Sequence, residues 1–411
     1  MSSSSSVEEG HHIREICIAI RRILSQIDSE SNIKRIISKY VTPTAPDNNE
    51  LIIEEIDGES KTTSETLGSL TSQDKNPELL VMRGLLVVSL LYAMNNIRLW
   101  VLQKGLSKGN LSKFIQSGNF REMFIASEIV AACAPTGEGR FFLRPILESG
   151  KLDILLESDN LEVSSGAATA VAKLGMTNKI FTMNEGEMVG MLQLAVDLLY
   201  DDDDNPTKMP SVESSSQSTS TIERGIELLS VLISNTSIKD EVAHGFKSSN
   251  RNQQSSTALE RLVQLASLPG AGDSRYAYGL AVIFSLLSVS IESLRKEAFE
   301  GKDITLEEYN QLQSLAKTQE EKEQSQREEE KDSEESVKSR IRKMTSANVP
   351  RGIVKLLDSN PSESTQEQLV IALNRMACEE SSRGIMIQQG CLTSCLKIDK
   401  NMVQSKLMPV F

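Results

Sequence analysis

Three histidines, five cysteines and one run of aspartates are the residues here whose types invite chemistry, and their spacing serves none. His11 and His12 follow Glu8 and Glu9 in a serine-rich start, which leaves His244 alone as a general base. Nucleophilic catalysis needs a Ser or Cys within hydrogen-bond reach of such a base and a third group to orient it. No such partner is visible in the sequence, so His244 is read as a loop or helix-end residue. Cys391 and Cys395 stand four apart with Cys378 nearby, but zinc sites use close Cys pairs completed by a second pair or by histidines. These cysteines are read as small buried apolar side chains. Asp201 to Asp204 are consecutive, whereas a calcium loop alternates its ligands and turns at a glycine; the run is read as a solvated loop. Gly84, Gly105 and Gly109 fit no phosphate-cradling pattern. No catalytic residue, metal ligand or cofactor site is expected, and the chain is read as a binding protein, not an enzyme.

The elements behind these residues are helical. Hydrophobic residues make up 39% of the 411-residue chain and aromatics only 4%, with Trp100 the one tryptophan. Such an aliphatic composition suits stacked helices whose branched side chains interdigitate. Ile13, Ile16, Ile20, Ile23, Leu24 and Ile27 recur at offsets of three and four, the mark of one apolar helix stripe. From Pro77 onward helical segments follow closely: 78–94, 97–104, 111–116, 120–134, 141–148, 151–157 and 164–174. They resume at 221–234, 258–268 and 276–294, with breaks at 201–221 and 247–256. No period-two run separates them. Closely spaced helices with glycine- or proline-marked turns form the pattern of an α-solenoid, whose units bury their faces only against neighbours.

The net charge of −13 opposes attraction to phosphate backbones or anionic membranes, so neither nucleic acid nor membrane is expected as a partner. The longest uncharged stretches, Gly84 to Ile97 and Tyr276 to Ile291, fall short of the roughly 20 residues that cross a bilayer. An odd, scattered set of cysteines fits a reducing cytoplasm.

Four regions are expected: residues 1–76, a tail with amphipathic helices and a polar loop; 77–317, a central armadillo-like region; 318–340, a charged linker; and 341–411, the start of a second armadillo-like region. The linker carries Glu320, Glu321, Glu323, Glu328, Glu329, Glu330, Glu334 and Glu335 among lysines and arginines, with almost nothing apolar. It has no core face and is read as a solvated helix or disordered segment. Thr305 and Glu308 just upstream form a capping-box pattern.

Three segments align internally: Phe114 to Phe120 (FIQSGNF), Ile146 to Leu152 (ILESGKL) and Met386 to Leu392 (MIQQGCL). Each places a glycine, Gly118, Gly150 or Gly390, after two apolar and two polar residues. Glycine can end one helix in a left-handed conformation and let the next start at a steep angle, so the three are read as repeat corners. Asn348 stands where a fourth glycine would be. The material that follows, Ile154 to Ser158 leading to Ala170 to Leu174 and Ile353 to Ser359 leading to Ala372 to Ala377, resembles the armadillo repeat. The expected fold is all-α, a right-handed α-solenoid of armadillo-like helical repeats.

Glu297 to Lys302 (EAFEGK), then Tyr309, Leu312, Leu315 and Ala316, then the charged segment, Arg340 to Lys343 (RIRK), and Ser382 to Gly390 (SRGIMIQQG) are similar in order and spacing to the UCS family of myosin-directed chaperones. Residues 118–175, with Gly139-Arg140 and Lys173-Leu174-Gly175, are similar to the family's central region. The resemblance implies a cytoplasmic co-chaperone that assists folding or assembly of myosin motor domains, together with heat-shock chaperone machinery. Residues 1–76 show no tetratricopeptide spacing, which makes the heat-shock link indirect, and the second region is read as truncated at Phe411. The alternative is a general armadillo adaptor that binds basic or unfolded peptide segments through its acidic charge.

Overall fold

The computed structural model describes residues 108–177, 183–200, 215–249, 256–299 and 331–397. The N-terminal stripe, the helices expected before residue 108, the aspartate run, the Thr305–Glu308 pattern and most of the charged segment lie outside the described residues.

All regular structure among the described residues is helical, apart from one isolated bridge between Lys247 and Thr257. The helices are α1 Lys108–Gln116, α2 Phe120–Cys133, α3 Gly137–Glu148, α4 Lys151–Leu156, α5 Leu161–Thr177, α6 Glu185–Leu199, α7 Ser215–Leu232 and α8 Thr236–His244. They continue with α9 Ala258–Ala266, a 3-10 turn at Ala271–Asp273, α10 Ala277–Leu287, α11 Ile291–Phe299, α12 Glu334–Ser346, α13 Val349–Asp358, α14 Glu363–Ala377, α15 Glu380–Gln388 and α16 Cys391–Lys397. The helices α6 and α8 were not marked by the sequence pattern, and α7 begins at Ser215, inside the stretch read as a polar break.

Many of these helices start on a side-chain cap. Asn119 Oδ1 accepts from Arg121 N, Asn160 Oδ1 from Glu162 N, and Asn235 Oδ1 from Ser237 N. Asn184 with Glu187 and Thr257 with Glu260 form complete capping boxes. Each satisfies amides that the helix itself leaves unpaired, worth typically ~1 kcal/mol.

The chain divides into two compact units. In the first, residues 1–182 with 211–220, α4 packs on α1 and α5 packs on α2. The contact of α5 with α2 is close because of small side chains: an added Cβ at Gly166 would stand 2.7 Å from Ser127 Oγ. Phe124, Ile125, Ala131, Ala167, Ala170 and Val171 of these two helices are buried.

In the second unit, residues 183–210 with 221–411, α12 packs on α8, α13 on α9 and α14 on α10, and then α15 on α12 and α16 on α13. Each helix of one triplet therefore meets its counterpart in the next, the register of a repeat stack. Leu280, Ile283, Phe284, Leu287, Leu369, Leu373 and Met376 are buried here. Burial of each such side chain is worth roughly 1.5–3 kcal/mol relative to exposure in water. Both units are built as armadillo-like, all-α solenoid repeats.

Positive φ angles mark the corners. Between first and second helices stand Gly150 (+66°), Gly245 (+107°), Asn348 (+63°) and Gly390 (+88°); between second and third stand Gly118 (+66°), Gly270 (+75°) and Asn360 (+53°). Gly118 therefore occupies a different corner from Gly150 and Gly390, although all three share one sequence pattern. At Gly150 the nearest atom to an added Cβ is Asp153 Oδ2 at 3.5 Å, so the demand there is on the backbone angle and not on space.

Two readings are corrected by the packing. Residues 276–294, expected as one helix, form α10 and α11, which meet at a bend of 108°. The charged segment, expected to have no core face, contributes Asp332 and Arg340, both buried. The two corrections share a cause. Arg340 Nε donates to Leu287 O at 3.2 Å, Lys239 Nζ to Val289 O at 2.8 Å, and Ile291 N donates to Asp332 Oδ2 at 2.6 Å. Carbonyls at the end of one helix and an amide at the start of the next find side chains from elsewhere in the chain, which is what allows the break to be buried.

Among the described residues no single helix is long and apolar enough to cross a membrane; α10 and α11 would pass that test only together, across their bend.

Candidate protein-binding face

The third helices of successive repeats, α7, α10 and α14, form one layer of the second unit. Gly279 brings α10 against α7: an added Cβ there would stand 2.5 Å from Ile226 Cγ2. On its other side Arg375 ties α14 to α10, with Nη1 donating to Ser285 O (2.9 Å) and interacting with Ser285 Oγ (2.8 Å). Its Nη2 pairs with Glu297 of α11 at 2.5 Å.

Each of these helices turns one stripe toward solvent. On α10 it is Tyr278, 49% exposed, with the half-buried Val282 and Leu286 at i+4 and i+8. On α14 it is Glu367, Ile371 and Asn374, half-buried, and then the exposed Cys378. On α7 it is Glu223, Glu227 and Ser230. An apolar ridge thus runs between helices that present carboxylates. Such a layer can accept an apolar side chain or helix face while its acidic flanks favour a basic neighbour. It offers no group arranged for covalent or acid–base chemistry.

Arg375 also faces a buried charge cluster that holds the layer from behind. Arg340 Nη2 bonds Asp332 Oδ1 at 2.6 Å and its Nη1 bonds Asp240 Oδ1 at 2.9 Å; Lys239 Nζ lies 3.8 Å from Asp332 Oδ2. Lys239 and Arg340 are fully buried. Burial pulls the Lys239 ammonium down to about 8, against the opposing pull of the Asp332 carboxylate. Desolvation therefore outweighs the ion pair at this amine.

His244 is the last residue of α8, exposed, with Nδ1 2.8 Å from Asp240 O and Nε2 3.5 Å from Ser339 Oγ. Cys391 and Cys395 are buried, and burial pushes their thiols up to about 12 and about 11; Cys378 is exposed. Among the described residues no group of three or more His, Cys, Asp or Glu is placed to hold a metal ion. Gly118, Gly150 and Gly390 lie at helix corners. Of this face the sequence singled out Cys378, read as buried and here exposed, but none of the α10 ridge, because α10 is apolar on nearly every side and its outward stripe has no polar contrast.

Neither a protein-family model nor the sequence of any curated protein matches the chain. Solved structures do. The myosin chaperone UNC-45 from C. elegans, in complex with a Hsp90 peptide, is similar over 82% of this chain and 30% of its own, at 18% identity and a TM-score of 0.55. The same chaperone in complex with a Hsp70 peptide gives 82%, 31%, 18% and 0.54. UNC-45 from Drosophila melanogaster covers 95% of this chain and 42% of its own at 14% identity, with a TM-score of 0.52. The likeness is one of fold, and this chain spans less than half the length of those proteins.

Proposed function

We propose that this protein is a cytoplasmic, protein-binding co-chaperone that assists folding or assembly of myosin motor domains, and that it engages them through the α7–α10–α14 layer. The observation that carries the reading is the ridge formed by the exposed Tyr278 with the half-buried Val282 and Leu286, on a fold shared with the myosin chaperone UNC-45. Surfaces that hold non-native clients need apolar contact area without deep, shape-specific pockets, and an aromatic side chain on a rigid helix supplies it at low entropic cost. UNC-45 has been crystallised with Hsp90 and Hsp70 peptides, and a structure of it concerns the binding and folding of muscle myosin. Cooperation with heat-shock chaperones is part of the proposal for this chain, made indirectly through the client.

A second reading, a general adaptor for basic or unfolded segments, is favoured by Glu223 and Glu367 beside the ridge, where Glu227 is taken by Arg224 at 2.7 Å. A pull-down comparing a purified motor domain with a lysine-rich peptide separates the two. The chaperone reading expects motor-domain capture that Tyr278→Glu abolishes and that persists at moderate salt. Retention of the peptide alone, lost as salt screens the carboxylates, would replace it with the adaptor.

A further inference from the structure

The chain leaves the first triplet of the second unit at Phe299 and is described again from Lys331. At that return point Asp332 is buried, and its two carboxylate oxygens do separate work. Oδ1 takes Arg340 Nη2 at 2.6 Å; Oδ2 takes the amide of Ile291 at 2.6 Å and faces Lys239 Nζ at 3.8 Å. Arg340 in turn reaches Leu287 O, Val289 O and Asp240. One carboxylate therefore joins α8, the α10–α11 corner and the start of α12.

We infer that Asp332 and Arg340 form a clasp deciding whether α12–α16 is held on α8–α10, so that neutralising the Asp332 carboxylate releases α12–α16 as one cooperative piece while α8–α10 stays folded. The inference concerns the stack and does not depend on the identity of any client.

The physical reason lies in how repeat stacks are stabilised. Their stability is close to a sum of repeat terms and nearest-neighbour interface terms. The apolar contacts of α14 with α10 and of α13 with α9 are spread over many side chains, and no single change removes them. The charge cluster is different. Removing the charge of one partner of a buried ionic group leaves the others under-compensated: here Lys239 loses its carboxylate, Arg340 keeps only Asp240, and one amide oxygen must replace two in serving Arg340 and the α11 amide. A large part of the interface term is thereby concentrated on one carboxylate. Opening the clasp would also divide the exposed layer, since α7 and α10 lie on one side of it and α14 on the other.

Hydrogen exchange on the full chain, wild type against Asp332→Asn, tests this. The clasp expects amides within 334–397 to lose protection by about 100-fold or more, as loss of one partner of a buried pair implies. Amides of α9 and α10 should change by less than about threefold, as a separate cooperative unit would. Equal loss on both sides, no loss within 334–397, or a variant in which α8–α10 also fails to fold would each overturn it. Lys239→Met is the companion variant, because it keeps the Asp332–Arg340 pair. It should leave 334–397 protected, and a loss as large as that of Asp332→Asn would assign the effect to packing around α8 instead.

Discussion

Lys239 should make the stability of the second unit rise with pH across a range where proteins ordinarily gain nothing. Its side chain is fully buried, its Nζ donates to Val289 O, and burial holds its pKa near 8 against 10.5 for a free lysine. A folded pKa below the unfolded one means that between these values the unfolded chain binds more protons than the folded one. Stability therefore increases as pH rises through about 8 and levels off above about 10.5. Weighing the two protonation equilibria, the gain between pH 7 and pH 9 is on the order of 1 kcal/mol, with more to come at the plateau. Two buried thiols act in the opposite sense. Cys391 and Cys395 have folded values of about 12 and about 11 against a reference of 9.0, so their contribution is present below pH 9 and lost above it. The measurement is therefore a difference: urea unfolding of the full chain and of Lys239→Met, followed by circular dichroism at pH 7 and pH 9. The thiol contributions cancel between the two proteins, and wild type should gain on the variant by an amount on the order of 1 kcal/mol. A difference that stays flat or shrinks with pH would refute the argument that desolvation dominates at this amine.

Three further outcomes follow from local geometry. Gly150→Val should lower the melting temperature through a cost of about 1–3 kcal/mol, while Gly150→Asn should cost clearly less, because Asn348 and Asn360 already adopt the same left-handed angles in this fold. Gly139→Ala should destabilise more than Gly118→Ala in thermal melts: its Cβ would stand 2.0 Å from the Cys133 carbonyl oxygen, whereas Gly118 has nothing within 4 Å and only its positive φ to violate. On alkylation with iodoacetamide at pH 8, read by mass spectrometry, the exposed Cys378 should react at least about tenfold faster than Cys391 or Cys395, whose buried thiols resist ionisation.

The helical class of this chain was determined by sequence alone, because amphipathic periodicity and glycine- or proline-marked turns are local signals. Which corner a glycine occupies was not. Gly118, Gly150 and Gly390 share one pattern because every corner makes the same demand on φ; only the stacking order of the helices separates Gly118 from the other two. The break between α10 and α11 is the clearest limit. Residues 276–294 carry one largely apolar signal, in which the only local cue to the second helix is Ser290, whose Oγ accepts from Ser293 N at 3.0 Å. The carbonyls at the break are taken by Arg340 and Lys239, and Asp332 adds to the Ser290 cap by accepting the Ile291 amide; these three residues lie about 40 to 50 positions away in the chain. The same three side chains explain why a segment rich in charge and poor in apolar residues reaches the core: charges can be buried when each meets its opposite and the remaining donors find carbonyls. The exposed stripe of α10 likewise emerged only once α7 and α14 had covered its flanks. A helix that is apolar on nearly every side cannot declare its outward face until its neighbours have taken the others.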